Sequence, residues 1–364
     1  MNFIIKGVYH LLYSIFTVIL KNMKIVTLLS LLVCSFISAY AHDPVYRFPK
    51  QQNGTIKLLS ASNKKFIITR EYLFQIKNDK VVKSINLSFV CNDATVLNDD
   101  IVMASDSGMI IYSVSKNIFK PYLRELWNKK IEYILTDAHS QLWFSSINEG
   151  AFFINHDSIS NVRIEAPAVY CIAATPDNNI WIGTNVGLYK ILPGSMQSER
   201  YAEEGIEGYS IPDNLVERLY PDSDSNVWAQ LSETLVFISP NLQNGDAEAF
   251  DYIGFKENKV LDVAKLGALK GGYLFATSRG IVFVNHIEAF ENQPAEEIHS
   301  AFEKKGVLVN AGAVRKPKEW KDLIIKNIYS DKHFTWFMTE KGVWKVKNKI
   351  LLAQLRLREL LKTL

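Results

Sequence analysis

The sequence is poor in the residue types that usually announce chemistry. Its 364 residues include three cysteines and seven histidines, and 41 Lys and Arg nearly cancel 38 Asp and Glu to leave a net charge of +3. So few cysteines exclude a disulfide-stapled scaffold. Cys34 lies in an N-terminal apolar run, and Cys91 and Cys171 sit in apolar stretches that suit buried free thiols. The histidines His42, His139, His156, His286, His299 and His333 are scattered, with no pair at metal-ligand spacing, so no metal is expected. A balanced charge with no basic segment excludes a nucleic-acid footprint. No Gly-rich phosphate loop or nucleophile elbow is present, so neither a cofactor nor a catalytic residue is assigned. The run Asp222-Ser223-Asp224-Ser225-Asn226-Val227-Trp228 looks like a sialidase Asp box but lacks its Gly and Thr, and it reads as a turn.

Hydrophobic residues make up 48% of the chain and aromatics 12%, an ordinary globular composition with enough apolar side chain for a large core. Residues 1–41 differ from the rest. After Met23 come Lys24, an apolar run from Ile25 to Val33, and the small-x-small end Ala39-Tyr40-Ala41. These are the three parts of a secretory signal, with cleavage expected after Ala41. Residues 1–22 read as an upstream extension, and 23–41 as the signal itself. An uncleaved N-terminal membrane anchor is the rival reading. Either way, the chain is expected in the periplasm or outside the cell.

The body of the chain repeats itself. Trp181-Ile182-Gly183-Thr184 follows an Asp/Asn turn and precedes a Gly turn and the aromatic run Leu188 to Ile191. The same plan recurs around Phe66, Val102, Trp143, Trp228, Leu274 and Trp336, at successive separations of 36, 41, 38, 47, 46 and 62 residues. Three positions after each anchor stands a hydroxyl (Thr69, Ser105, Ser146, Thr184, Thr277, Thr339), broken only by Leu231. Each unit alternates apolar and polar residues between Asn, Asp and Gly turns, the mark of a small antiparallel sheet. A sheet apolar on both faces is unstable alone, and radial stacking buries both faces. The expected fold is therefore an all-β, seven-bladed β-propeller over 42–349. Small residues two after the anchor (Ala104, Ser145, Gly183, Ala276) make room for neighbouring blades.

The last unit stops after its third strand, and the orphan segment Pro44 to Phe48 is expected to complete it from the other end of the chain. The longest interval holds Pro294 to Gly306, which reads as a short helical insertion between blades 6 and 7. The Leu-rich tail 350–364 reads as helical.

The stretch Tyr170 to Ile191, with Trp181-Ile182-Gly183-Thr184 and Gly187-Leu188, resembles the two-component regulator propeller repeat of Bacteroidetes-type bacteria. The weaker copies extend the likeness from about Gly54 to Lys349. The resemblance implies a periplasmic ligand-sensing propeller of the kind found in hybrid histidine kinases, often reading glycan fragments, and also found in stand-alone exported proteins. No kinase or second ring follows in this sequence, so signal output by this chain is not implied.

In-register blades send the turn after every anchor strand to one end of the central channel, where propellers usually bind. Those turns carry Arg70, Glu71, Tyr72, Asp106, Asn148, Glu149, Asn185, Glu233, Arg279, Glu340 and Lys341, a polar set suited to an oligosaccharide or peptide. Taken singly, each is an ordinary solvated turn residue. The leading reading is a non-catalytic binding protein, whose partner is such a ligand or a periplasmic or cell-surface protein. The alternatives are a scaffold component of a secretion or surface assembly, and a lyase or hydrolase on the same fold.

Overall fold

The computed structural model describes residues 46–49, 52, 54, 56–146, 148–155, 158–204, 210–232, 234–240, 247–251, 260–266, 272–278, 280–284, 306–310 and 324–352. They form four-stranded antiparallel sheets arranged around a channel. The first blade illustrates the plan. Ile56–Ala61, Lys64–Thr69, Tyr72–Lys77 and Lys80–Asn86 pair in sequence order. Its hairpin turns Ser62-Asn63 (φ 48° and 58°) and Asn78-Asp79 (φ 50° and 58°) hold two consecutive residues at positive φ. Asn and Asp tolerate that conformation, and it matches the twist of paired strands.

The expected count of seven blades, with a helical insertion between the last two, is corrected. Six sheets are contiguous meanders, starting at Ile56, Cys91, Ile131, Val169, Val216 and Val260. A further four-stranded sheet is composite: Ile325–Ser330, Phe334–Thr339 and Gly342–Lys347 are joined at the outer edge by Tyr46–Arg47. Tyr46 pairs with Val343 and Arg47 with Gly342. Helix is nearly absent from the described residues. Gly306, expected to stop a helix, instead begins the strand Gly306–Asn310, which closes the sixth blade. Most of Pro294 to Gly306 lies outside the described residues, as do residues 353–364 of the tail.

The core lies between blades rather than within one. Trp143 packs towards the fourth blade with Ile180, Ile182, Tyr189 and Ile191. The adjacent Phe144 points the other way, towards Val102, Ala104 and Met109 of the second. Period-two alternation in a single strand thus seals two interfaces. Trp228 meets Tyr273 and Phe275 of the next blade edge-on, with ring centroids 5.5 and 5.1 Å apart. Gly183 lies where the fourth and fifth blades come closest. A Cβ there would sit 2.4 Å from Cys171 Sγ and 2.8 Å from Val216 Cγ1.

The recurring hydroxyl also has a structural cause. Thr184 Oγ1 donates to Gly187 O at 2.7 Å and accepts from Val186 N at 3.1 Å. Ser105 does the same with Gly108 O and Ser107 N, and Thr339 with Gly342 O and Lys341 N. It satisfies main-chain groups that the tight turn leaves unpaired.

Ring closure rests on the junction of the composite sheet with the first blade. Phe48 stacks on Phe74 at 5.4 Å, and the two share a cluster with Trp336, Met338 and Val343. Lys345 Nζ lies 4.7 Å from the Trp336 ring centroid and reaches Asp79 across the junction at 2.8 Å. Phe48→Ala is expected to destabilise the fold by about 3 kcal/mol, read by chemical denaturation, because a buried ring is removed from the latch. Gly183→Ala is expected to lower stability by about 1–3 kcal/mol through overpacking. An unchanged melting curve for either variant would contradict the packing described.

Candidate ligand site at the channel mouth

The two ends of the ring differ in how their loops are used. At one end, turns of adjacent blades are stitched together. Ser62 N donates to Asp99 Oδ1 (3.0 Å), Ala138 N to Asn178 Oδ1 (3.1 Å), Asp177 N to Ser225 Oγ (3.0 Å), and Lys265 Nζ to Asp224 Oδ2 (2.5 Å). The run from Asp222 to Asn226 belongs to this end. Asp222 Oδ1 accepts the amides of Asp224 (2.7 Å) and Asn226 (3.0 Å), an Asx turn. The other end, where the inner strands begin, is open and holds a cavity of about 450 Å³. A volume of this size suits a small ligand.

The cavity forms because the innermost strands are irregular at one shared position. Register skips occur between Cys91 and Asp93, Ile131 and Tyr133, Val169 and Cys171, Val216 and Arg218, Val260 and Asp262, and Ile325 and Asn327. The inner strand of the first blade pairs without a skip. A bulge of this kind adds an unpaired residue and re-aims its side chain. The extra residues are Asn92, Glu132, Tyr170, Glu217, Leu261 and Lys326, and the first three line the cavity. Tyr170 is 41% exposed, unusual for a ring so near the axis. The remaining wall includes Arg70, Lys130, Tyr133, Asn148 and Cys91.

One residue further along each strand, the channel is crossed by a second ring, namely Lys57, Asp93, Tyr133, Cys171, Arg218, Asp262 and Asn327. Lys57 Nζ pairs with Asp93 at 2.5 Å, and the other Asp93 oxygen accepts Ile134 N of the next blade at 3.1 Å. Asp262 repeats the device. It accepts Ile328 N at 2.6 Å and Asn327 Nδ2 at 2.8 Å. Each carboxylate therefore clasps the neighbouring inner strand. Burial dominates the titration here. It pushes the Asp262 carboxyl up to about 7 despite the hydrogen bonds and the Arg218 and Lys57 charges that oppose it. Burial likewise raises the Tyr133 hydroxyl and the Cys91 thiol to about 12, and raises the Cys171 thiol. Cys91 and Cys171 are both free and buried.

The turn residues singled out in the sequence divide. Arg70 and Asn148 line the cavity, and Asp106 accepts the Asn92 amide at 2.8 Å just outside it. Glu149 is paired with Lys129 at 2.6 Å on the rim. Asn185 occupies its turn with Oδ1 buried and unpartnered among the described residues. Tyr72 stacks on Phe74 at 5.4 Å, and the Glu71 carbonyl accepts Leu87 N at 2.8 Å. Glu340 is buried and accepts Ile324 N at 2.9 Å, while the Lys341 carbonyl accepts Phe48 N at 2.9 Å. Those four support the fold. Glu233 and Arg279 lie outside the described residues. The bulge residues escaped sequence reasoning because an inserted residue breaks no apolar pattern. The shared misfit of polar or exposed Asn92, Glu132 and Tyr170 beside apolar Cys91, Ile131 and Val169 was the available signal.

With this geometry established, known proteins give it a context. Residues 164–186, which span the first hairpin of the fourth blade, match the family model described as Two component regulator propeller. The chain carries a two component regulator propeller repeat. No curated protein matches the sequence. Among solved structures, it is similar to the extracellular domain of the putative one component system BT4673 from B. thetaiotaomicron. That likeness has 17% identity and a TM-score of 0.60, covering 84% of this chain and 39% of that one. This chain thus spans about two fifths of that domain's length. It is also similar to virginiamycin B lyase from Staphylococcus aureus (13%, TM-score 0.57, 82% of this chain and 96% of that one). YCF48 from Cyanidioschyzon merolae matches at 9% and a TM-score of 0.60, covering 84% and 98%, and another YCF48 structure carries a bound peptide. At these identities the likeness shows the propeller fold alone. No helix among the described residues is long and apolar enough to cross a membrane.

Asp262 gives the clasp ring a pH signature. Its folded pKa lies above the ordinary carboxyl value of 3.8, so the folded chain binds the extra proton between about pH 4 and 7. Its contribution to stability is full below that window and is lost as pH rises through it. Relative to Asp262→Asn, the native chain is expected to lose stability between pH 4 and 7, measured by urea denaturation at each pH. Parallel curves for the two proteins would contradict the assignment.

Proposed function

We propose that this chain is an exported, non-catalytic binding propeller of the sensor type, taking a small polar ligand or a protein segment at the open channel mouth. The observation that carries the reading is the contrast between the two ends. One end uses its turns to join blades, whereas the other aims bulged Asn92, Glu132 and Tyr170 into a cavity of about 450 Å³. Its combination of an exposed aromatic face, amides and opposite charges suits an oligosaccharide or peptide. The repeat at 164–186 and the likeness to an extracellular sensor domain support the sensor-type reading. The peptide-bound YCF48 propeller supports a protein partner as the variant of it. Against a lyase stands the chemistry of the wall. Burial holds Tyr133 and Cys91 protonated at neutral pH, so neither is poised as base or nucleophile. Export rests on the signal-like residues 23–41.

The test is a thermal-shift screen of the chain secreted by its own leader, against oligosaccharides and peptides. We expect a mature N-terminus at His42 and at least one stabilising ligand, with Tyr170→Ala weakening that ligand about tenfold or more without lowering the ligand-free melting temperature. A ligand whose affinity ignores Tyr170→Ala would remove the mouth from consideration. Retention of the chain in the cytoplasm would overturn the export reading.

A further inference from the structure

Among the described residues, the cations around the cavity are paired off with one exception. Lys130 Nζ sits 3.1 Å from Glu132, both on the wall, and Lys129 is tied to Glu149 on the rim. Beneath them Lys57 is tied to Asp93. Asp106 faces the Asn92 amide rather than a cation. Arg70 alone lines the cavity with no carboxylate against its guanidinium among the described residues. Its stem passes close to Gly54, and its main chain is anchored. The aliphatic Cδ lies 3.3 Å from where a Cβ of Gly54 would stand, and the Arg70 carbonyl accepts Cys91 N at 2.9 Å. A guanidinium with an open face can make two parallel hydrogen bonds to a planar anion.

We propose that the mouth binds a small organic monoanion whose carboxylate docks on Arg70 and whose body lies on the exposed ring of Tyr170. This rests on the binding reading above and adds the class of ligand. The cavity volume limits the body to about the size of a disaccharide or dipeptide. Among the described residues, the internal Lys130–Glu132 pair leaves no second free cation for a dianion, and the wall offers the Asn148 amide for neutral polar groups. Two sources share this chemistry, an acidic sugar and the free C-terminus of a short peptide.

The experiment compares matched acids and neutral analogues by calorimetric titration. Glucuronic acid is set against glucose, and acetylated dipeptide acids against their amides. We expect one acid to bind at least tenfold more tightly than its neutral counterpart, and the arm that responds identifies the source. Arg70→Gln should erase the discrimination while leaving the melting temperature unchanged, whereas Lys80→Gln, on an outer strand, should leave it intact. Equal binding of acid and neutral members, lost in Tyr170→Ala, would overturn the monoanion class and keep the mouth as a site. Acid preference that survives Arg70→Gln would also overturn the assignment. Failure of all four probe types to bind would overturn it as well, and the broader ligand screen then decides whether the mouth binds anything.

Discussion

Everything in this molecule depends on blades covering each other's apolar faces. No single sheet has an interior of its own. Trp143 and Phe144, adjacent in one strand, belong to different interfaces, so the stability of a blade is a property of its two neighbours. This explains why large rings sit beside small residues along the anchor strands. Gly183 lies against Cys171 and Val216 because the fourth and fifth blades meet there with no room for a methyl group. Polar groups join the same task. The carboxylates of Asp93 and Asp262 reach over to the main chain of the following inner strand, converting packing between faces into defined register around the axis.

That division of labour frees the opposite end. Once packing, the clasp ring and the stitched turns hold the wheel together, the starts of the inner strands tolerate irregularity. Bulges appear there in blade after blade, and three of them hand a side chain to the mouth. The scaffold is thus strict where blades touch and permissive where they converge.

Much of the architecture was legible in the sequence, because its causes are periodic. The anchors, the turn glycines and the hydroxyl three residues on each reflect a constraint repeated in nearly every unit, and Thr184 and Ser105 show what that constraint is. The completing role of Pro44 to Phe48 was legible from a missing strand at the other end, and Tyr46–Arg47 fills that place. The sixth blade misled. Gly306 looked like a helix stop because Pro, acids and Lys precede it, yet it starts an outer strand whose partner Val284 is far away in sequence. The lining of the candidate site was legible in part. Turn positions pointed to Arg70 and Asn148, but Glu132 and Tyr170 come from register skips, which depend on pairing and leave only a misfit beside an apolar neighbour. Glu340 looked like a site residue and instead holds the Ile324 amide.

The composite sheet makes the earliest part of the body wait for the latest. All other strand pairings join strands that follow one another in the chain, whereas Tyr46 has no partner until Val343 exists. A chain emerging from its N-terminus therefore carries an unpaired edge through the whole of its synthesis, and the wheel becomes cooperative only when the two ends meet. Anything that occupies the segment around Tyr46 in that interval governs when, and whether, the circle shuts.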